Sequence, residues 1–188
     1  MNRREFLEAA LVAAGALVPA AVSAQAPGAA CDGRGVTPAQ TPGPFYKAGA
    51  PRRTSLVEPG MTGERIVVAG RVLTADCAPI PGAVLDVWHA DAHGDYDNTG
   101  YRLRGRFATD DAGRFQFETI VPAAYVGRTR HFHVTLEAPG RRPLTTQLYF
   151  PGEPGNGRDA IFDPALVMQV RESPQGKLAT FDFVLARG

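Results

Sequence analysis

From Glu64 onward, apolar and polar positions alternate with a period of two. Ile66, Val68, Gly70 and Val72 interleave with Val67, Ala69, Arg71 and Leu73. Side chains of a strand point to alternate faces, so the pattern predicts a β-strand. Asp76-Cys77-Ala78-Pro79-Ile80-Pro81-Gly82 is turn material. A second strand follows over Ala83–His89, with Val84 and Asp86 opposing Leu85 and Val87. Further strands are predicted around Phe107–Thr109, over Arg114–Glu118 with Phe115 and Phe117 on one face, from Arg128 to Leu136, over Leu144–Phe150, and over Leu178–Leu185 with Phe181, Phe183 and Leu185 together. Asp91–Gly100 reads as a polar loop, and Pro151–Asp163 as a loop with at most one helical turn. Seven or so short strands joined by turns describe an all-β fold, a single antiparallel sandwich.

Residues 25–60 break the alternation. Thr41-Pro42-Gly43-Pro44-Phe45-Tyr46 cannot be helical, because proline fixes φ and biases its predecessor to extended geometry. This stretch is expected to lie on the domain as an arm, with Phe45 and Tyr46 anchoring it or lining a pocket. The sandwich proper then occupies residues 61–188. Composition agrees: Gly 21 and Pro 16 fit many turns, and 44% hydrophobic with 21% charged residues is ordinary for a globule. A net charge of +1 leaves no footprint for nucleic acid or an anionic membrane.

Residues 1–24 read as a targeting segment rather than fold. Arg3 and Arg4 precede an uncharged apolar run from Ala9 to Ala21, and Val22-Ser23-Ala24 offers small residues for cleavage. The run is shorter than the roughly 20 residues of a membrane-spanning helix. The paired arginines point to twin-arginine export, hence a periplasmic or extracellular protein with no membrane attachment after signal removal. In an oxidising compartment the two cysteines, Cys31 and Cys77, are expected to bridge, tying the arm to the first hairpin. Closing that loop is worth about 4 kcal/mol in the chain-entropy model. Unpaired thiols are the alternative.

The candidate chemistry starts at His131-Phe132-His133. Two histidines at spacing two on a strand project to one side, with Cα atoms roughly 6.5 Å apart. An inward-facing pair at that separation can meet one metal ion; zinc, copper, iron and nickel all suit imidazole. Other ligands must complete the set. His89 and His93 are read as hydrogen-bonding or surface residues. Glu137 stands at a spacing seen in cupin metal motifs, but on a continuous strand it would lie about 13 Å from His133. Tyr96, just past a strand, and Tyr125, on the connection entering the histidine strand, are better placed. Phenolate is a hard ligand suited to a ferric ion.

Several motifs occur together in order. They are Leu85-Asp86-Val87-Trp88-His89-Ala90-Asp91-Ala92-His93-Gly94-Asp95-Tyr96, Val121-Pro122-Ala123-Ala124-Tyr125, Arg128-Thr129-Arg130-His131-Phe132-His133 and Leu144-Thr145-Thr146-Gln147-Leu148-Tyr149-Phe150. With Pro42-Gly43-Pro44-Phe45-Tyr46, the set resembles intradiol ring-cleavage dioxygenases, the family of catechol 1,2- and protocatechuate 3,4-dioxygenases. The resemblance implies a transthyretin-like β-sandwich with a loop-built site for one Fe(III) per chain. Tyr96, Tyr125, His131 and His133 would be the metal ligands. Tyr125 would also act as a built-in base, Arg128 would stabilise charge on the bound substrate, and Gln147 would stand near the carbon that reacts with oxygen. The implied activity is that of an oxidoreductase, cleavage of a catechol-type ring with O2 to a cis,cis-muconate-type product. The helical dimerisation region of the catechol branch is missing between signal and first strand, which leaves homo-oligomerisation open. Arg52, Arg53, Arg102 and Arg104 are candidate partners for a substrate carboxylate. A competing resemblance, to transthyretin-like and carboxypeptidase-regulatory-like modules that bind without catalysis, shares the same fold plan.

Overall fold

The computed structural model describes residues 35–188; the targeting segment and Cys31 lie outside the described residues. Among the described residues, nine strands form two packed sheets. One sheet holds β4 (Arg114–Ile120), β1 (Arg65–Thr74), β8 (Gly176–Thr180) and β7 (Gln169–Ser173) in that order, with β9 (Phe183–Leu185) also paired to β1. The other runs β3 (Arg104–Ala108), β2 (Val84–Trp88), β5 (His131–Glu137) and β6 (Leu144–Tyr149). Two short 3-10 turns, Asn156–Arg158 and Pro164–Leu166, punctuate the loop region after β6.

The core lies between the sheets. Leu85, Val87, Phe132, Val134, Leu136 and Leu148 meet Val68, Phe117 and Phe183 from the opposite sheet, and all are buried. These are the alternate positions read from the sequence, and each large side chain so buried contributes about 1.5–3 kcal/mol.

The sandwich is not antiparallel throughout. β1 pairs in parallel with both β8 and β9. Residues 178–185, expected as one alternating strand, divide at Phe181 and Asp182. There the Asp182 carboxylate accepts the Arg71 backbone N–H at 2.8 Å and its guanidinium at 2.8 Å, replacing a ladder bond. A Cβ on Gly70 would stand 1.8 Å from the Phe181 carbonyl oxygen, so only glycine permits this close approach. β7 escaped the sequence reading because Gln169-Val170-Arg171-Glu172-Ser173 is a largely exposed edge strand with polar residues on both faces.

Residues 35–60 hold no strand longer than an isolated bridge. Their first part runs along β6, where Gln40 N–H donates to Thr145 O at 2.8 Å and Thr146 Oγ1 donates to Pro38 O at 2.7 Å, and Arg52 and Ser55 then bridge to β3 and β4. Cys77, in the turn after β1, is disulfide-bonded.

Candidate metal centre

The register of the second sheet builds the floor of the site. Arg104, Trp88, His133 and Gln147 are successive partners across β3, β2, β5 and β6. His131 and Tyr149 pair in the next row. All six are nearly inaccessible to solvent. Yet Phe132, Val134 and Leu136 supply the sandwich core from β5, so His131 and His133 face away from it. The expectation of an inward-facing pair is therefore corrected. The histidines occupy the outer face of the sheet, and loops and arm bury them there.

Two loops deliver the tyrosines. After β2, Asp91 Oδ1 accepts the N–H groups of His93 (2.8 Å) and Asp95 (3.1 Å), an Asx turn that projects the chain toward Tyr96. Asp91 O also accepts Ala123 N–H at 2.9 Å, which ties this loop to the one carrying Tyr125. Gly94 sits between them with φ +94°, and a Cβ there would stand 3.0 Å from Ala124 O. Tyr125 and Arg128 close a tight turn through reciprocal backbone bonds of 3.3 and 2.9 Å, so Arg128 precedes the strand that was expected to include it.

The result is a cluster of four donor atoms. His131 Nε2 and His133 Nε2 are 3.1 Å apart. Tyr96 Oη is 3.1 Å from His133 Nε2, and Tyr125 Oη is 3.5 Å from His131 Nε2. His131 donates its Nδ1–H to Thr129 O at 2.6 Å, which leaves a lone pair on Nε2. His133 has no partner for Nδ1; its ring is held by stacking on Trp88, with centroids 4.9 Å apart and planes 5° from parallel. Burial, reinforced by the Arg128 charge, pulls the His131 pKa down to about 4. Burial and the neighbouring His131 hold His133 well below the usual histidine range. Both imidazoles are thus neutral near pH 7, the form that binds metals. Burial and the adjacent Tyr125 push the Tyr96 phenol above its ordinary range. Among the described residues no three His, Cys, Asp or Glu converge, so any cation here must draw on the two phenols as well.

Around the donors, Phe45 from the arm stacks on Tyr96 at 4.3 Å and meets Tyr125 edge-on at 6.1 Å. Arg104 donates to Phe45 O at 2.7 Å and to Asp97 O at 3.1 Å, which pins arm and loop to β3. Arg128 Nη2 donates to Gln147 Oε1, and Gln147 Nε2 donates to Thr41 O at 3.1 Å.

The discarded candidates lie elsewhere. His89 is buried and bonded at both nitrogens, to Ala90 O and Thr119 Oγ1, each at 2.7 Å. His93 and Glu137 are exposed. Of the four arginines considered for a substrate carboxylate, Arg53 pairs with Glu58, Arg102 pairs with Asp91, Arg104 is buried behind Tyr96, and Arg52 is exposed. Sequence reasoning missed Trp88 as the platform for His133, Arg104 as the pin, and Asp159, whose carboxylate holds Arg128 at 2.9 Å. No periodic signal marks Asp159, because it comes from a distant irregular loop.

A family model described as dioxygenase matches residues 41–187. The chain belongs to the intradiol ring-cleavage dioxygenase family. It is similar to chlorocatechol 1,2-dioxygenase of Rhodococcus opacus, with 32% identity over 76% of this chain and 70% of that one. It is 34% identical to catechol 1,2-dioxygenase 2 of Acinetobacter lwoffii over 74% of this chain, which spans 61% of that enzyme. Among solved structures it resembles the dioxygenase domain of a dioxygenase–carbohydrate-binding protein fusion from Streptomyces sp. SirexAA-E. That match has TM-score 0.79 and 52% identity, and covers 81% of this chain and 99% of the other. These family relatives are oxidoreductases, which weighs against the non-catalytic module.

Proposed function

We propose that this chain is an exported, iron-dependent intradiol dioxygenase that opens the ring of a catechol-type aromatic with O2 to a cis,cis-muconate-type product. The convergence of two phenol oxygens with two neutral imidazole nitrogens carries the reading. The donors fit the ion: His131 presents a lone pair at Nε2, and the phenols become hard anionic ligands once a cation displaces their protons. Tyr96, Tyr125, His131 and His133 would hold one Fe(III) per chain, which supplies Lewis-acid and redox activation of the bound diol toward O2. Overall, the bond between the two oxygen-bearing ring carbons breaks, and both atoms of O2 enter the dicarboxylate product.

The protein's own groups do the rest. A catechol must lose its hydroxyl protons on binding, and Tyr125 Oη, at the edge of the donor cluster, accepts one of them as a built-in base. Arg128 brings positive charge beside the cluster and offsets negative charge that builds on the substrate oxygens, a preorganised effect worth about 3 kcal/mol for one donor. Gln147 holds Arg128 Nη2 on one side and the arm on the other. The rings of Phe45 and Trp88 flank the donors and keep bulk water out.

Tyr125→Phe tests the reading. In iron-reconstituted protein it bleaches much of the visible tyrosinate absorption and lowers turnover about 100-fold, with the unfolding midpoint retained. Unchanged colour and rate would remove Tyr125 from the site. Export by the twin-arginine route is supported by Arg3 and Arg4 and by the disulfide at Cys77, which suits an oxidising compartment. Cell fractionation of an Arg3→Lys, Arg4→Lys double variant should find the protein retained in the cytoplasm, and normal export would reject that route.

A further inference from the structure

Asp159 lies in the loop between β6 and β7, far in sequence from every donor, and its side chain is 1% exposed. Everything that reaches its carboxylate is a donor. Arg128 Nε–H meets Oδ1 at 3.1 Å and Oδ2 at 2.9 Å. Thr129 N–H donates to Oδ2 at 3.0 Å and Ile161 N–H to Oδ1 at 3.1 Å. A buried carboxylate persists only when its lone pairs are used and its charge is matched, and both conditions hold here.

The consequence falls on Arg128. Its guanidinium is gripped along the Nε edge by Asp159, while Nη2 is engaged by Gln147 Oε1 and lies 3.5 Å from Tyr149 Oη. A planar fork held from two sides cannot rotate about its terminal bonds. The same carboxylate takes the backbone N–H of Thr129, whose carbonyl accepts the His131 Nδ1–H. One side chain therefore fixes both the charge beside the donor cluster and the peptide that orients one imidazole. We propose that Asp159 is the positioning residue of the site, acting through Arg128 and secondarily through Thr129. This rests on the functional reading above as far as turnover is concerned, but the clamp itself does not.

The test has two arms. In metal-free wild-type protein, the Arg128 Nε–H resonance, assigned by its loss in Arg128→Lys, should persist in 1H–15N spectra with slow solvent exchange, and Asp159→Asn should abolish it. The isosteric amide places an NH2 where one oxygen accepted from two donors, Arg128 Nε–H and the N–H of Thr129 or Ile161. In iron-reconstituted protein, Asp159→Asn should lower kcat about 10- to 100-fold. KM should stay within about threefold, since the loss falls on the charge that develops during reaction. The visible absorption maximum should stay in place because all four donors remain. A rapidly exchanging Arg128 Nε–H in wild type would overturn the proposal even if the variant fails to fold. Wild-type kcat in a folded Asp159→Asn variant would overturn it as well. If wild-type protein opens no catechol at all, the functional reading fails, and the spectra alone decide the clamp.

Discussion

The two faces of β5 are both buried, and by opposite means. Phe132, Val134 and Leu136 are buried against a second sheet, mainly by apolar contact. His131 and His133, one position out of phase, are buried under an arm and two loops, by hydrogen bonds, ring stacking and charge. The first face is generic, since any apolar side chain of suitable volume could fill it. The second is specific, because each polar atom there needs a particular partner. Stability should therefore depend on one face and metal chemistry on the other.

The largest effect expected from this contrast is Phe132→Ala, which removes a fully buried ring and should cost about 3–5 kcal/mol in urea unfolding. A loss below about 1 kcal/mol would mean that the core face is not what holds the sheets together. Next comes the pH dependence of the metal-free protein. Burial lowers the His89 pKa from 6.5 to about 4. Between those values the unfolded chain binds the proton and the folded chain does not, so stability falls as pH drops from 6.5 toward 4. For His89 alone the loss approaches about 3 kcal/mol. Urea midpoints at pH 7 and 4.5 should draw closer together in His89→Gln, and an unchanged gap would clear His89 of that role.

His133→Ala addresses the other face. It should weaken iron binding by more than about 100-fold, a larger effect than loss of an outer-shell partner. Metal-free stability should fall less than for Phe132→Ala. Iron content after reconstitution and dialysis reads the first quantity, and retention of iron would show that His133 is not a ligand. The smallest effect belongs to Gly94→Ala, which forces a left-handed φ on alanine and presses Ala124 O at the junction of the two tyrosine loops. We expect a cost of about 1–3 kcal/mol, read as a lowered Tm. A neutral result would show that the loops adjust independently.

Legibility in the sequence followed the same division. Period-two alternation gave β1, β2, β5 and β6 to within a few residues, because one face of each must be apolar. It did not give β7, which has no buried face to enforce a pattern. Nor did it give the break at Phe181–Asp182, which depends on the missing side chain of Gly70 on β1, at the far end of the strand order. His131 and His133 were visible as a pair, since strand geometry alone puts them together. Tyr96 and Tyr125 were identified by resemblance to known motifs, because loops carry no period that could aim them.

By itself, then, the amino-acid order determined which residues share a face, where the chain must turn, and that two imidazoles stand side by side. Those are short-range properties, set by alternating side-chain direction and by the conformational limits of glycine and proline. Which side of the sheet faces the core, which loops cover the other side, and that Asp159 would hold Arg128 from some thirty positions away were decided only by the tertiary structure. Burial and hydrogen-bond pairing are satisfied over the whole fold at once, and local sequence carries no record of which distant groups will meet.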